Sequence, residues 1–228
     1  PEIEDLINFL RKMGCNIKWN GKRTISIIGV KTLKETKYKI MFDRIEAGTY
    51  MIASALTGGN LKITNIKPKI IKTEIDILRK VGASIKTKDA ELRIIGKNKI
   101  NNIKIITSPY PGFPTDLQAQ LMVLLCRAFG RSEIIEKIFE NRFMHASELN
   151  RMGAKIKIFG NKAIIEGNVN FKAAELMATD LRASVSLILA ALAAKGKSII
   201  NRVYHLDRGY ENIEQKLRNV GASIRRIS

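Results

Sequence analysis

One turn occurs four times along this chain. The segments "FLRKMGCNI" (9–17), "ILRKVGASI" (77–85), "ELNRMGAKI" (148–156) and "KLRNVGASI" (216–224) share a Leu, a Gly four residues on, and an Ile three residues beyond that. Each reads as the end of an amphipathic helix closed by a left-handed glycine and running straight into a strand. Upstream of the last three lies a second shared block: an Asp, a long apolar helix, a Gly-containing or Lys-Gly turn, and a short β-branched strand. The aspartates, Asp43, Asp116 and Asp180, fall 73 and 64 residues apart. Such a period marks one supersecondary unit used repeatedly, here three full units after a truncated one.

The first helix of each unit is apolar nearly all round, and a helix without a polar face belongs inside a core. Three of them packed together put the sheets outside. The expected fold is therefore α/β: an inside-out α/β barrel of three repeated units, with buried central helices and external sheets. Residues 1–41 hold a helix end and two strands ("CNIKW", "RTISIIGV") with no buried helix before them. They read as the C-terminal tail of another barrel domain, and residues 42–228 as the second barrel domain. A chain that starts in mid-unit at Pro1 reads as the second half of a longer protein.

Charge raises the question of nucleic acid, because 40 Lys and Arg face 21 Asp and Glu, a net charge of +19. The lysines are scattered through every strand-like segment instead of forming a stripe with aromatics, which make up only 6% of residues. The excess reads as solvated faces with an anionic substrate as a second contributor, and no nucleic-acid partner is expected. No apolar run has membrane-spanning length, and "PEIEDLINFL" is not a signal peptide, so a cytoplasmic protein without a membrane partner is expected. Cys15 and Cys126 read as packing residues. With only His145 and His205 besides, and no ligand spacing, no metal or other cofactor is expected.

Polar chemistry concentrates after the turn "TSPYPGFPTDLQAQ" (107–120). Asp116 is either the cap of the apolar helix or a working carboxylate. Thr115 and Gln118 form a T-x-x-Q capping box, which leaves Asp116 in the first turn, free to point outward. Asp180 follows Thr179 in the same way. Arg142, Arg182 and Arg208 are permanent cations whose forks match carboxylate and phosphate oxygens. Each could equally sit in a salt bridge, with Glu140 near Arg142 and Asp207 beside Arg208.

The stretches "DRIEAGTYMIASAL", "YPGFPTDLQAQ", "ENRFMHASELNRMGAKI", "MATDLRAS" and "HLDRGYENIEQKLRNVGASI" resemble, in order and over essentially the whole chain, the bacterial UDP-N-acetylglucosamine enolpyruvyl transferases. The resemblance implies transfer of enolpyruvate from phosphoenolpyruvate to the 3-hydroxyl of UDP-N-acetylglucosamine with release of phosphate, the first committed step of peptidoglycan synthesis. It implies catalytic roles for Asp116, Asp180 and Arg208. Substrate contacts are implied for Asp116, Arg142, Arg182, Arg208 and the backbone of Ile138. The family's general-acid cysteine lies in an N-terminal half that does not match any part of this sequence. The missing half is thus an expected partner, and this chain alone is expected to be inactive. The alternatives are a shikimate-type enolpyruvyl transferase and a non-catalytic basic domain that binds polyanions.

Overall fold

A computed structural model describes residues 1–21 and 23–227. The chain divides into two compact units, with the division between Asp43 and Arg44. In the first unit, helix α1 (Glu2–Lys12) leads into an antiparallel pair, β1 (Asn16–Trp19) and β2 (Ile25–Ile28). Among the described residues there, only Ile7 and Ile17 are buried apolar ones. Its tail is pinned by polar contacts, the Tyr38 hydroxyl donating to Asp5 Oδ1 at 2.8 Å and the Met41 N–H to Asp5 Oδ2 at 3.2 Å.

The second unit contains the repeats. The first runs α2 (Arg44–Thr57), β3 (Asn60–Thr64), α3 (Lys72–Lys80), β4 (Ser84–Lys88) and β5 (Glu91–Ile95). The second runs β6 (Lys104–Ile106), α4 (Gln118–Cys126), β7 (Arg131–Ile135), α5 (His145–Arg151), β8 (Lys155–Phe159) and β9 (Lys162–Glu166). The third runs β10 (Glu175–Met177), α6 (Leu181–Ala193), β11 (Ile199–Asn201) and α7 (Ile213–Asn219). Strands β6 and β10, which enter the apolar helices, pair in parallel with β7 and β11.

Helices α2, α4 and α6 pack against one another, as their composition requires. All nine residues of α4 are buried, including Gln118 and Gln120. A buried Leu contributes roughly 1.5–3 kcal/mol over an exposed one, so this apolar contact is a principal source of the unit's stability. The strands form open sheets ordered β3-β5-β4, β6-β7-β9-β8 and β10-β11, and none closes into a barrel among the described residues.

The repeated turn has the expected form. Gly14, Gly82, Gly153 and Gly221 sit at φ between +95° and +111°, and the next residue donates back to the carbonyl of the repeat's Leu at 2.9–3.0 Å. This 6→1 bond satisfies a helix-end carbonyl and turns the chain into the strand. Side chains then tie helix to strand. Arg11 Nε donates to the Ile17 carbonyl at 2.7 Å, Arg79 Nη2 to that of Ile85 at 2.8 Å, and Asn150 Nδ2 to that of Ile156 at 3.1 Å. The fourth copy differs: Arg218 turns to Gln215 at 2.8 Å, and residues 222–227 join no strand.

A second recurrence concerns close approach. Gly96 follows β5 and Gly167 follows β9, each running over the end of its unit's buried helix. A Cβ on Gly96 would lie 2.4 Å from the Ser54 carbonyl oxygen, and one on Gly167 would lie 1.9 Å from that of Ala128. Backbone cannot yield as a side-chain tip can. Gly167→Ala should therefore cost about 3 kcal/mol or more, from overpacking that the backbone cannot relieve. Gly160→Ala, at a left-handed turn with open space around it, should cost no more than about 1–2 kcal/mol. Thermal unfolding of both variants checks this, and equal losses would contradict the close-approach explanation.

Candidate active site

The site forms where the N-terminal turns of the buried helices converge. Asp116 lies in a 3-10 turn (Thr115–Leu117) that opens α4, and its exposed edge is bounded by two cations. Arg142, on the loop between β7 and α5, donates from Nη2 to Asp116 Oδ1 at 2.7 Å. Arg182, in the first turn of α6, donates from Nη2 to Oδ2 at 3.0 Å. Both arginine side chains are mostly buried, at 16% and 18% exposure, whereas Asp116 retains 38%. Burial pushes the Asp116 carboxyl upward, but Arg182 and then Arg142 outweigh it and hold the group below its ordinary value.

The expected capping box is not formed. Thr115 donates its hydroxyl to Glu136 Oε2 at 2.8 Å, and both side-chain polar atoms of Gln118 are buried without a partner among the described residues. Asp116 is thus not the cap, because the 3-10 turn directs its carboxylate to the arginines. Asp180 does cap its helix. Its Oδ1 accepts from the N–H groups of Arg182 and Ala183 at 2.8 and 2.9 Å, while Oδ2 carries no hydrogen bond among the described residues.

The suggested salt bridges also go elsewhere. Arg142 pairs with Asp116 rather than Glu140, and its guanidinium lies 4.7 Å from the Phe139 ring centroid. Asp207 is bound by Arg226 at 2.6 and 2.9 Å, which leaves the exposed Arg208 without an ion-pair partner among the described residues. The strand before Ile138 stops at Ile135, because Glu136 reorganises the backbone beyond it. This buried carboxylate accepts from the Thr107 hydroxyl at 2.7 Å and from the N–H groups of Ile138 and Phe139 at 2.8 and 3.1 Å. The N–H of Ile138 is therefore taken, and its carbonyl carries no hydrogen bond among the described residues.

The sequence reading did not single out Glu136, Thr49, Gln120 or Tyr210. The available signal was a polar residue in an otherwise apolar segment, above all Gln120 in α4. His145 is fully enclosed at the start of α5, and burial lowers it to about 4, so it is neutral near pH 7. Burial raises the Cys126 thiol to about 12, consistent with packing. No cluster of three or more His, Cys, Asp or Glu side chains forms a metal site among the described residues, and none of their helices is long and apolar enough to cross a membrane.

A family profile described as EPSP synthase (3-phosphoshikimate 1-carboxyvinyltransferase) matches residues 1–217. The chain belongs to this family. Within it, the chain is 72% identical over 228 residues to the UDP-N-acetylglucosamine 1-carboxyvinyltransferase of Pelagibacter ubique, covering 100% of this chain and 55% of that protein. It is 51% identical over 229 residues to the protein of the same name from Azorhizobium caulinodans, covering 100% and 53%. The chain thus spans about half the length of the relatives it matches. Among solved structures, the enolpyruvyl transferase NikO from Streptomyces tendae matches with a TM-score of 0.88 at 29% identity, over 98% of this chain and 54% of that one. EPSP synthase from Acinetobacter baumannii matches with a TM-score of 0.77 at 20% identity, over 97% and 55%, a likeness of fold. The motif resemblance to UDP-N-acetylglucosamine enolpyruvyl transferases and the mixed α/β, enolpyruvyl transferase-like fold are both borne out.

The depressed Asp116 carboxyl has a definite pH signature. Its contribution to stability is present above its ordinary pKa of 3.8 and is lost as pH falls through the lower, folded value. Urea unfolding of the wild type and Asp116→Asn should show a gap that is constant near pH 6 and shrinks below about pH 4. A gap independent of pH would show that the two arginines do not act on this carboxylate.

Proposed function

We propose that the full-length protein containing these residues transfers enolpyruvate from phosphoenolpyruvate to the 3-hydroxyl of UDP-N-acetylglucosamine, in the cytoplasm, as the first committed step of peptidoglycan synthesis. The observation that carries this is a carboxylate set between two mostly buried arginines at the mouth of the helix core, in a chain 72% identical to a protein named for that activity. The finer architecture we infer is a three-unit inside-out barrel over residues 42–228, with residues 1–41 completing a second such domain. The mutual packing of α2, α4 and α6 supports it.

The chemistry assigns each residue a task. The sugar 3-hydroxyl oxygen bonds to the C2 carbon of phosphoenolpyruvate while its methylene carbon gains a proton. The adduct then loses that carbon's proton and the C2–phosphate bond, which regenerates the vinyl group and releases phosphate. Asp116 accepts the hydroxyl proton, a step for which it must be freed from at least one arginine, since a carboxylate held by two cations is a weak base. An incoming phosphate or carboxylate competes for the same N–H groups and draws an arginine away. Arg142, Arg182 and the unpaired Arg208 then bind substrate oxygens, Asp180 uses its remaining oxygen near the reacting carbon, and Ile138 offers its carbonyl to the sugar nucleotide. The methylene's acid comes from the other half of the protein. The buried Cys126 thiol cannot serve, and Cys15 does not match the family's position.

An open sheet edge supports a contribution from the remainder of the protein. In the second unit, β9 lies between β7 and β8. The equivalent position in the third unit, between β11 and residues 222–227, is part of a groove of about 1050 Å³ lined by Ile199, Ile200, Ala222 and Ile224. A strand from the remainder of the protein would complete that sheet. The shikimate-type alternative rests on the description of the family profile alone, whereas the 72% and 51% relatives carry the sugar-nucleotide name.

Phosphate release by the full-length protein tests this. It should require UDP-N-acetylglucosamine, should not occur with shikimate 3-phosphate, and should fall about 10²–10⁴-fold in Asp116→Asn. The 228-residue chain alone should release none. Release with shikimate 3-phosphate, or turnover by the chain alone, would overturn the assignment.

A further inference from the structure

Strands β6 and β7 run parallel, and the two segments that leave their ends carry polar groups of the site. One passes from Thr107 through a tight turn to Thr115 and Asp116, the other from Glu136 through Ile138 to Arg142. Glu136 joins them. It is 4% exposed, and Thr107 is fully buried. Its Oε1 accepts from the Thr107 hydroxyl at 2.7 Å and from the N–H groups of Ile138 and Phe139 at 2.8 and 3.1 Å, and its Oε2 accepts from the Thr115 hydroxyl at 2.8 Å. Thr107 Oγ1 accepts in turn from the Lys137 N–H at 2.9 Å. The donors converging on this carboxylate are hydroxyls and backbone amides. A carboxylate supplies about four acceptor sites and no donor, so it satisfies them all, whereas an amide side chain supplies half as many. A buried charge is costly unless it is hydrogen-bonded in this way, and apolar contact would hold two segments together at lower cost.

Two side-chain bonds cross between the segments near the site: Thr115 to Glu136, and Arg142 to Asp116 at 2.7 Å. The second is one that an incoming anion competes for, as the proposed reaction requires of at least one arginine. The first involves no group assigned to substrate, so it remains when the second opens. On its core side the Asp116 turn is already fixed. Gln120 Nε2 donates to the Asp116 carbonyl at 3.0 Å and lies 3.2 Å from Thr49 Oγ1 and 3.4 Å from the Tyr210 hydroxyl, which are themselves 2.8 Å apart. The loop side depends on Thr115.

We infer that Glu136, acting through Thr115, is a positioning residue that keeps the Asp116 carboxylate in register with the Ile138 carbonyl and Arg142 while substrate binds. The inference rests on the proposed function, with Asp116 as its working carboxylate. Loss of the Thr115 hydroxyl leaves the Glu136 bonds to Ile138 and Phe139 in place, so the loop still receives the sugar nucleotide but no longer holds its 3-hydroxyl squarely against Asp116. Loss of the Glu136 charge loosens both.

The test uses the full-length protein with Thr115→Val, Thr115→Ser and Glu136→Gln. Thr115→Val, close to threonine in shape, should lower kcat about tenfold with KM for UDP-N-acetylglucosamine within about twofold, the pattern of lost alignment. Thr115→Ser, which keeps the hydroxyl, should retain wild-type values. Glu136→Gln should lower kcat about tenfold and also raise that KM about threefold or more. Should Glu136→Gln not fold, the threonine variants decide. A readout independent of turnover is the Asp116 carboxyl midpoint, followed by carbon-13 NMR. Thr115→Val changes no charge, and by loosening the Arg142 bond it should move the midpoint up towards the ordinary 3.8, with Thr115→Ser leaving it in place. If the unsubstituted protein releases no phosphate, the activity assignment fails separately and this midpoint decides the role of Glu136. A folded Thr115→Val protein with wild-type kcat or an unmoved midpoint overturns the inference, even where its thermal stability falls. So does a Thr115→Ser protein as impaired as Thr115→Val, or a folded Glu136→Gln protein with wild-type kinetics.

Discussion

The second unit depends on the mutual burial of three helices that have no polar face. Once α2, α4 and α6 must cover one another, their sheets can lie only on the outside, and the chain must leave each helix by a tight, repeatable route. The left-handed glycines and the close-packed Gly96 and Gly167 serve that route. The same packing brings three helix N-termini together. Partial positive charge at those ends, joined by Arg142 and Arg182, makes the convergence point the favourable place in this unit for an anion or a carboxylate.

Asp116 illustrates how the core and the chemistry are coupled. It is held by one arginine from a buried helix and one from a loop, and its backbone is held by Gln120 from within the core. In the proposed reaction, a base restrained in this way would be inactive until a competing anion arrives, which would tie proton acceptance to the presence of that anion. Glu136 has a parallel role on the loop side, where four hydrogen bonds gathered on one buried carboxylate shape the segment carrying Ile138 and Arg142.

Much of this was legible in the sequence, for physical reasons. The repeated Leu-Gly-Ile spacing specifies a helix stop that only a left-handed residue can make, and the apolar composition of α4 permits only burial. Short strands such as β10 were not legible, because three residues carry no period. The capping box was misread because Thr115 has a stronger partner in Glu136, which is distant in sequence and close only after folding. The Thr49, Gln120 and Tyr210 cluster was missed for the same reason, since its members lie on three segments and each looks like an isolated polar residue.

The central claim is that Asp116 is a carboxylate restrained by two arginines and released by an anionic substrate. The most direct test is a crystal structure of the full-length protein with UDP-N-acetylglucosamine and an unreactive phosphoenolpyruvate analogue. The sugar 3-hydroxyl should lie within about 3.2 Å of an Asp116 oxygen, with at least one of Arg142 and Arg182 moved onto the analogue. A 3-hydroxyl facing a different group, or both arginines unmoved with the analogue bound, would contradict it.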